Sequence, residues 1–143
     1  MPGNLRFGIY DLRFGPSIPC MNKHELSRRT RAFAVRILKM VDHLPNSAGG
    51  RAIASQVARR GTSVAANYRA TLRARSDADF RNKVGIVLEE ADETLLWLEI
   101  VVEAEMLSAK KLAPLMNESE ELVKIFAATL RTVKTRSNAR PQS

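Results

Sequence analysis

The residues best suited to chemistry in this 143-residue chain are arginines. Arg59, Arg60, Arg69, Arg73 and Arg75 fall within or beside the stretch ARRGTSVAANYRATLRAR, and no acid interrupts them before Asp77. A guanidinium is a rigid fork of N–H donors, charged at any physiological pH, whose geometry matches the oxygens of a phosphate. Several on one side of a helix would follow a polyanion backbone without reading bases, so binding would tolerate sequence and weaken with salt. On a helix turning about 100° per residue, Thr62, Ala66, Arg69 and Arg73 fall within about 80° of Arg59, with Ile53, Val57, Val64, Tyr68 and Leu72 roughly opposite. Arg59, Arg69 and Arg73 are therefore the expected principal phosphate contacts. Arg60 sits at the edge of the apolar stripe, where its stem packs and its head snorkels, and Arg75 lies just beyond the stripe; both are expected as secondary contacts. Asn67 reads as a structural hydrogen-bonding residue rather than a reader of bases. Neither a zinc-finger spacing nor an aromatic RNA-binding strand is present to supply sequence readout.

Other chemistries are poorly supplied. Ser55, Thr62 and Ser63 have no histidine at helical spacing to activate them. The acid-rich run EEADETLLWLEIVVEAE lacks the Glu-x-x-His pairs of di-metal bundles. His24 and His43 are far apart, and HELSR places Arg28 where a zinc protease would need its second histidine. Gly49-Gly50 ahead of a helix is a faint phosphate-nest signal. The expectation is a protein that is not an enzyme, with no metal and no cofactor. One cysteine, Cys20, allows no intrachain disulfide and suits a reducing, cytoplasmic setting. No apolar run approaches a membrane span, so no membrane partner is expected.

The elements that must position the arginines read as helices. Only 6% of residues are aromatic and 13 are Gly or Pro, a composition that leans away from a turn-rich β-sandwich. Asn22 and Glu25 have capping-box spacing, and Leu26, Thr30, Phe33, Ile37, Val41 and Leu44 then step by three and four. Pro45 and Gly49-Gly50 predict a loop, followed by a second helix marked from Ile53 to Leu72. Ser76 with Asp79 opens a third, with Phe80, Val84, Val87, Ala91, Leu95, Leu98 and Val102 on one face. Ser108 caps a fourth carrying Leu112, Leu115, Leu122, Phe126, Leu130 and Val133, with Pro114 expected near its first turn. The reading is all-α: an antiparallel up-down-up-down four-helix bundle over 22–134, preceded by a flexible tail, 1–21, and followed by a basic tail, 135–143. Met21 is a candidate alternative start.

Charge is divided between the helices. Residues 45–75 hold six basic side chains and no acid, whereas 76–107 hold nine acids and two bases, within a formal net charge of +8. The acidic third helix gives neighbouring cations something to pair with, which would set register more than stability. Ile86, Trp97 and Ile100 lie off its main apolar stripe. A helix apolar on two faces needs two packing partners, so these three are the expected contacts of a homo-oligomer.

The same segments resemble a family of bacterial four-helix-bundle proteins first described from intervening sequences of 23S ribosomal RNA genes. The matching residues are Gln56, Arg59-Arg60, Ser63-Val64, Asn67, Ser76, Asp79-Phe80, and the element Glu93, Trp97, Leu98, Glu99. The first helix departs from the family pattern, with ELSRRTRAFAV in place of a Leu-x-Val-Trp type of segment. The resemblance, from about Glu25 to Val133, implies a pentameric barrel of identical subunits. It further implies kinship with accessory proteins of diversity-generating retroelements, which bind a reverse transcriptase and its template RNA through a basic surface. The expected function is thus a non-enzymatic oligomer that binds RNA, or a nucleic-acid-handling partner, through a repeated basic face. The alternative is a protein-only interaction scaffold.

Overall fold

Four side chains cap the helices, three of them at the starts expected from sequence and the fourth, Ser47, where a loop was expected. In the computed structural model, which describes residues 22–139, Asn22 Oδ1 accepts from Glu25 N at 2.9 Å and opens α1, Lys23–Val41. Ser47 Oγ accepts from Gly50 N at 3.0 Å and opens α2, Ala48–Thr71. Ser76 Oγ accepts from Asp79 N at 3.1 Å and opens α3, Asp77–Glu103. Ser108 Oγ accepts from Lys111 N at 3.2 Å ahead of α4, Ala109–Ala139. Each oxygen satisfies one of the amides that a helix start leaves without an intrahelical acceptor. The expected tail over 1–21 and the last residues, 140–143, lie outside the described residues.

Three boundaries differ from the sequence reading. Gly49 and Gly50 belong to the first turn of α2 rather than to a loop. Gly50 is buried, and a Cβ there would stand 1.9 Å from the Pro45 carbonyl oxygen, so the glycine serves a close backbone approach. Pro114 lies inside α4, past its first turn, and faces solvent. Helix α4 also continues through Ala139, beyond the boundary expected at 134. No helix breaker intervenes before Pro141, and Thr135 Oγ1 bonds back to the Arg131 carbonyl at 2.9 Å.

The helices form an antiparallel four-helix bundle. Helix α1 packs on α2, α2 on α3 and α3 on α4, while α1 and α4 meet more sparingly. No strand occurs among the described residues. Buried Leu26, Phe33 and Ile37 of α1 join Val57, Val64 and Tyr68 of α2, Val87, Ala91 and Leu98 of α3, and Leu122 and Phe126 of α4 in one core. A large apolar side chain contributes roughly 1.5–3 kcal/mol on such burial. The Tyr68 and Phe126 rings meet with centroids 5.7 Å apart and planes tilted by 46°. Buried threonines return their hydroxyls to their own helices: Thr30 to the Leu26 carbonyl at 3.0 Å, Thr94 to Glu90 at 2.6 Å and Thr129 to Ile125 at 2.8 Å. Their polar atoms are therefore satisfied without breaking the packing.

The start of α3 also carries a pH signature. The Asp79 carboxylate accepts from Arg75 N at 3.0 Å and from Lys83 Nζ at 2.9 Å. The backbone hydrogen bond first, then the lysine, hold its pKa below the ordinary 3.8. A depressed carboxyl stabilises the fold above the unfolded value, and that contribution disappears as pH falls through the folded one. Asp79→Asn should therefore lower the urea midpoint at pH 6. It should also make the midpoint less sensitive to acid, bringing variant and parent closer together by pH 2.

Candidate nucleic-acid interface

Helix α2 is built so that its arginines need not enter the core. Val57, Gly61, Val64 and Tyr68 take the buried side, and the remaining turn of the helix is left for polar residues. Arg59, Arg69 and Arg73 are all exposed, together with Arg51, Ser55 and Ala66. No carboxylate pairs with Arg59, Arg69 or Arg73 among the described residues. The three are thus an uncompensated cationic stripe along the outside of the bundle, with Arg73 just past the helix end.

Arg60 has a different position. Its Nη1 donates to Glu90 Oε1 at 3.0 Å, and its Nε lies 3.3 Å from Glu93 Oε2. It bridges the seam between α2 and the acidic α3, so its charge is largely neutralised within the chain. Arg75 is exposed in the α2–α3 turn, where its backbone amide serves Asp79. Asn67 Nδ2 donates to the Ser63 carbonyl at 2.9 Å from a half-buried position. Thr62 returns its hydroxyl to Ala58 at 2.8 Å. Among the described residues, no group of three or more His, Cys, Asp or Glu could hold a metal ion.

The residues expected at a subunit interface do not form one exposed patch. Ile86, Glu90, Glu93, Trp97 and Ile100 follow one another at steps of four and three, so they share one side of α3. That side faces α2, because Glu90 and Glu93 meet Arg60 there. Trp97 accordingly packs against the bundle core, with its indole N–H buried and unpartnered, and Ile100 is half-buried. Ile86, at the start of the row, is 37% exposed. Among the described residues, the large apolar side chains most open to solvent are instead Val35 at 50%, Leu96 at 48% and Leu38 at 47%.

One cation near the stripe was not singled out from sequence. Arg31 of α1 and Arg69 of α2 line the same cleft of about 510 Å³, whose walls include Ser27, Thr30, Thr62 and Ala65. The signal for it is the helix register. Gly61 meets Ile37 across the α1–α2 seam, and antiparallel helices then bring residues near 30 beside residues near 68. Tyr68 also lines this cleft, and burial pushes its hydroxyl well above the ordinary tyrosine pKa. It stays neutral and adds no charge to the surface.

The comparisons agree with this architecture. Residues 22–128 match the family described as 23S rRNA-intervening sequence protein. A crystal structure of a protein of unknown function from the S23 ribosomal protein family of Bacteroides thetaiotaomicron is similar, with 34% identity and a TM-score of 0.69. The similarity covers 74% of this chain and 98% of that one. No curated protein matches. With three quarters of its length in the matched region and the same bundle in a related crystal structure, the chain belongs to the 23S rRNA-intervening sequence protein family.

Proposed function

We propose that this chain is a non-enzymatic, homo-oligomeric bundle of the cytoplasm that binds RNA, or a partner that handles nucleic acid, through the outward face of α2. The observation that carries this reading is the stripe of Arg59, Arg69 and Arg73, exposed and without carboxylate partners. A solvated helix face usually mixes both signs, and α2 contains no acid at all. Arg60 is assigned mainly to holding α2 against α3, and Arg75 to the margin of the surface. Accessory binding to a reverse transcriptase and its template RNA, as in a diversity-generating retroelement, is the most specific form of this role.

Self-association is supported by two complementary outer rows. Arg28, Arg31, Val35 and Leu38 form an exposed row on α1, and Glu89, Asp92, Leu96, Glu99 and Glu103 form one on α3. Both rows step by three and four, and they lie on non-adjacent helices of the bundle. Docking the first row of one subunit on the second row of another is a head-to-tail contact, the type that closes into rings such as a pentamer. In such a ring the stripe on α2 would recur once per subunit and raise the local density of positive charge.

The acidic row on α3 also favours a second reading, in which basic and acidic faces meet only protein. Purification at low and at high salt separates the two. Nucleic acid that raises the 260/280 nm absorbance ratio and leaves in high salt supports RNA binding. A protein that stays free of nucleic acid at low salt and does not bind added RNA leaves the protein-only scaffold.

A further inference from the structure

The seam between α1 and α4 treats its cations differently at its two ends. Near the start of α1, Arg29 donates through Nε to Glu118 at 3.2 Å, is paired through its Nη2 with the same carboxylate, and lies 3.0 Å from Glu121. Near the end of α1, the two helices leave a groove of about 420 Å³, and no carboxylate lines it. Its apolar side is Met40, Leu107, Leu112 and Leu115, of which Met40, Leu112 and Leu115 are buried side chains of the core. Exposed Arg36, Lys39 and Lys111 stand around it, and none of them has an ion-pair partner.

The start of α4 adds to this imbalance. Helix N-termini favour acids because of the unpaired amides and the positive end of the helix dipole. The first turn of α4 contains none and carries Lys110 and Lys111 instead. The segments before residue 22 and after residue 139 each carry a net positive charge, so they offer this rim no net negative complement.

We infer that the groove is a binding site for a small amphipathic anion, an apolar chain or ring bearing one carboxylate or phosphate. Its volume lies within the usual range of small-molecule pockets, roughly 300–1,000 Å³. The apolar body would lie over Met40, Leu112 and Leu115, and the anionic head would meet Arg36, Lys39 and Lys111. This inference is independent of RNA binding, because none of these residues belongs to the α2 stripe.

The test uses the full chain with its methionine methyl groups carbon-13 labelled, titrated with octanoate, octanol and octylammonium, which share one chain length but differ in charge. Octanoate should shift the Met40 methyl resonance and bind about tenfold tighter than octanol or octylammonium. Octyl phosphate, compared with octanoate, reports which head group the rim prefers. Lys110→Glu with Lys111→Glu should weaken octanoate about tenfold while raising Tm, since the new acids suit the helix start. A merely structural role for these lysines would not give opposite signs in the two readouts. Arg36→Glu with Lys111→Glu should weaken octanoate similarly at unchanged helicity. Equal binding of the three probes, octanoate affinity unaffected by these substitutions, or a Met40 shift produced only by an acidic polypeptide would each overturn the inference.

Discussion

Replacing Arg59, Arg69 and Arg73 together by glutamate is expected to reduce RNA affinity by at least about a hundredfold at moderate salt, with helix content and oligomer size unchanged. Each phosphate contact made by a cation releases counterions, and reversal adds repulsion where attraction stood. The fold should tolerate the change because all three side chains are exposed and none is in an ion pair. Arg and Glu also have similar helix propensities. Glu at position 69 does oppose the dipole in the last turn of α2, at a cost of about 0.3–1 kcal/mol. The triple glutamine variant avoids that cost and should still lose most of the affinity. Arg60→Gln provides the contrast. It leaves Glu90 and Glu93 side by side without their cation, so it should lower Tm more than it lowers RNA affinity. Filter binding and circular dichroism on the same preparations would check both halves.

The second large effect is expected at the crossing of α1 and α2. A Cβ on Gly61 would lie 2.8 Å from Ile37 Cγ1 and 2.9 Å from Cγ2. These atoms sit on a β-branched carbon with little rotamer freedom in a helix, so they cannot swing aside as the end of a Lys or Met could. Alanine in a helix interior gains up to about 1 kcal/mol over glycine, but overpacking a well-filled contact costs roughly 1–3 kcal/mol. Gly61→Ala should therefore destabilise the bundle and lower Tm by several degrees. Ile37→Ala alone should cost roughly 2–5 kcal/mol through lost packing. Combined, the two should cost less than their sum, because the new methyl enters the space that the Ile37 branches vacate. Urea unfolding of the four proteins gives the coupling directly, and strict additivity would mean that Gly61 is not a close-packing residue.

Much of the fold is legible in the sequence because its signals are local. Asn22, Ser76 and Ser108 cap helices where their side chains suggest, and the period of three and four from Leu26 to Ile37 is the buried face of α1. Gly49-Gly50 is misread because glycine has two uses. It permits turns, and it permits close approach, and only the position of the Pro45 carbonyl distinguishes them. The outward stripe on α2 follows from period alone. The pairing of Arg60 does not, because it depends on which turn of α3 lies opposite. The same holds for Trp97. Its offset from the main stripe suggests an external partner, whereas the row it shares with Glu90 and Glu93 faces α2 of its own chain. The proximity of Arg31 to Arg69 depends on helix register, which Gly61 and Ile37 set through a contact between distant residues.

Fluorescence anisotropy of a labelled single-stranded RNA, followed from about 50 to about 200 mM salt, tests most directly whether the outward face of α2 is a phosphate-binding surface. Three arginine contacts per subunit predict a slope of log K against log salt of about −2, scaling with the number of subunits engaged. That slope should collapse in the Arg59, Arg69, Arg73 variant. Binding that is absent at the lowest salt, or salt-insensitive, or equally steep in the variant, would contradict it.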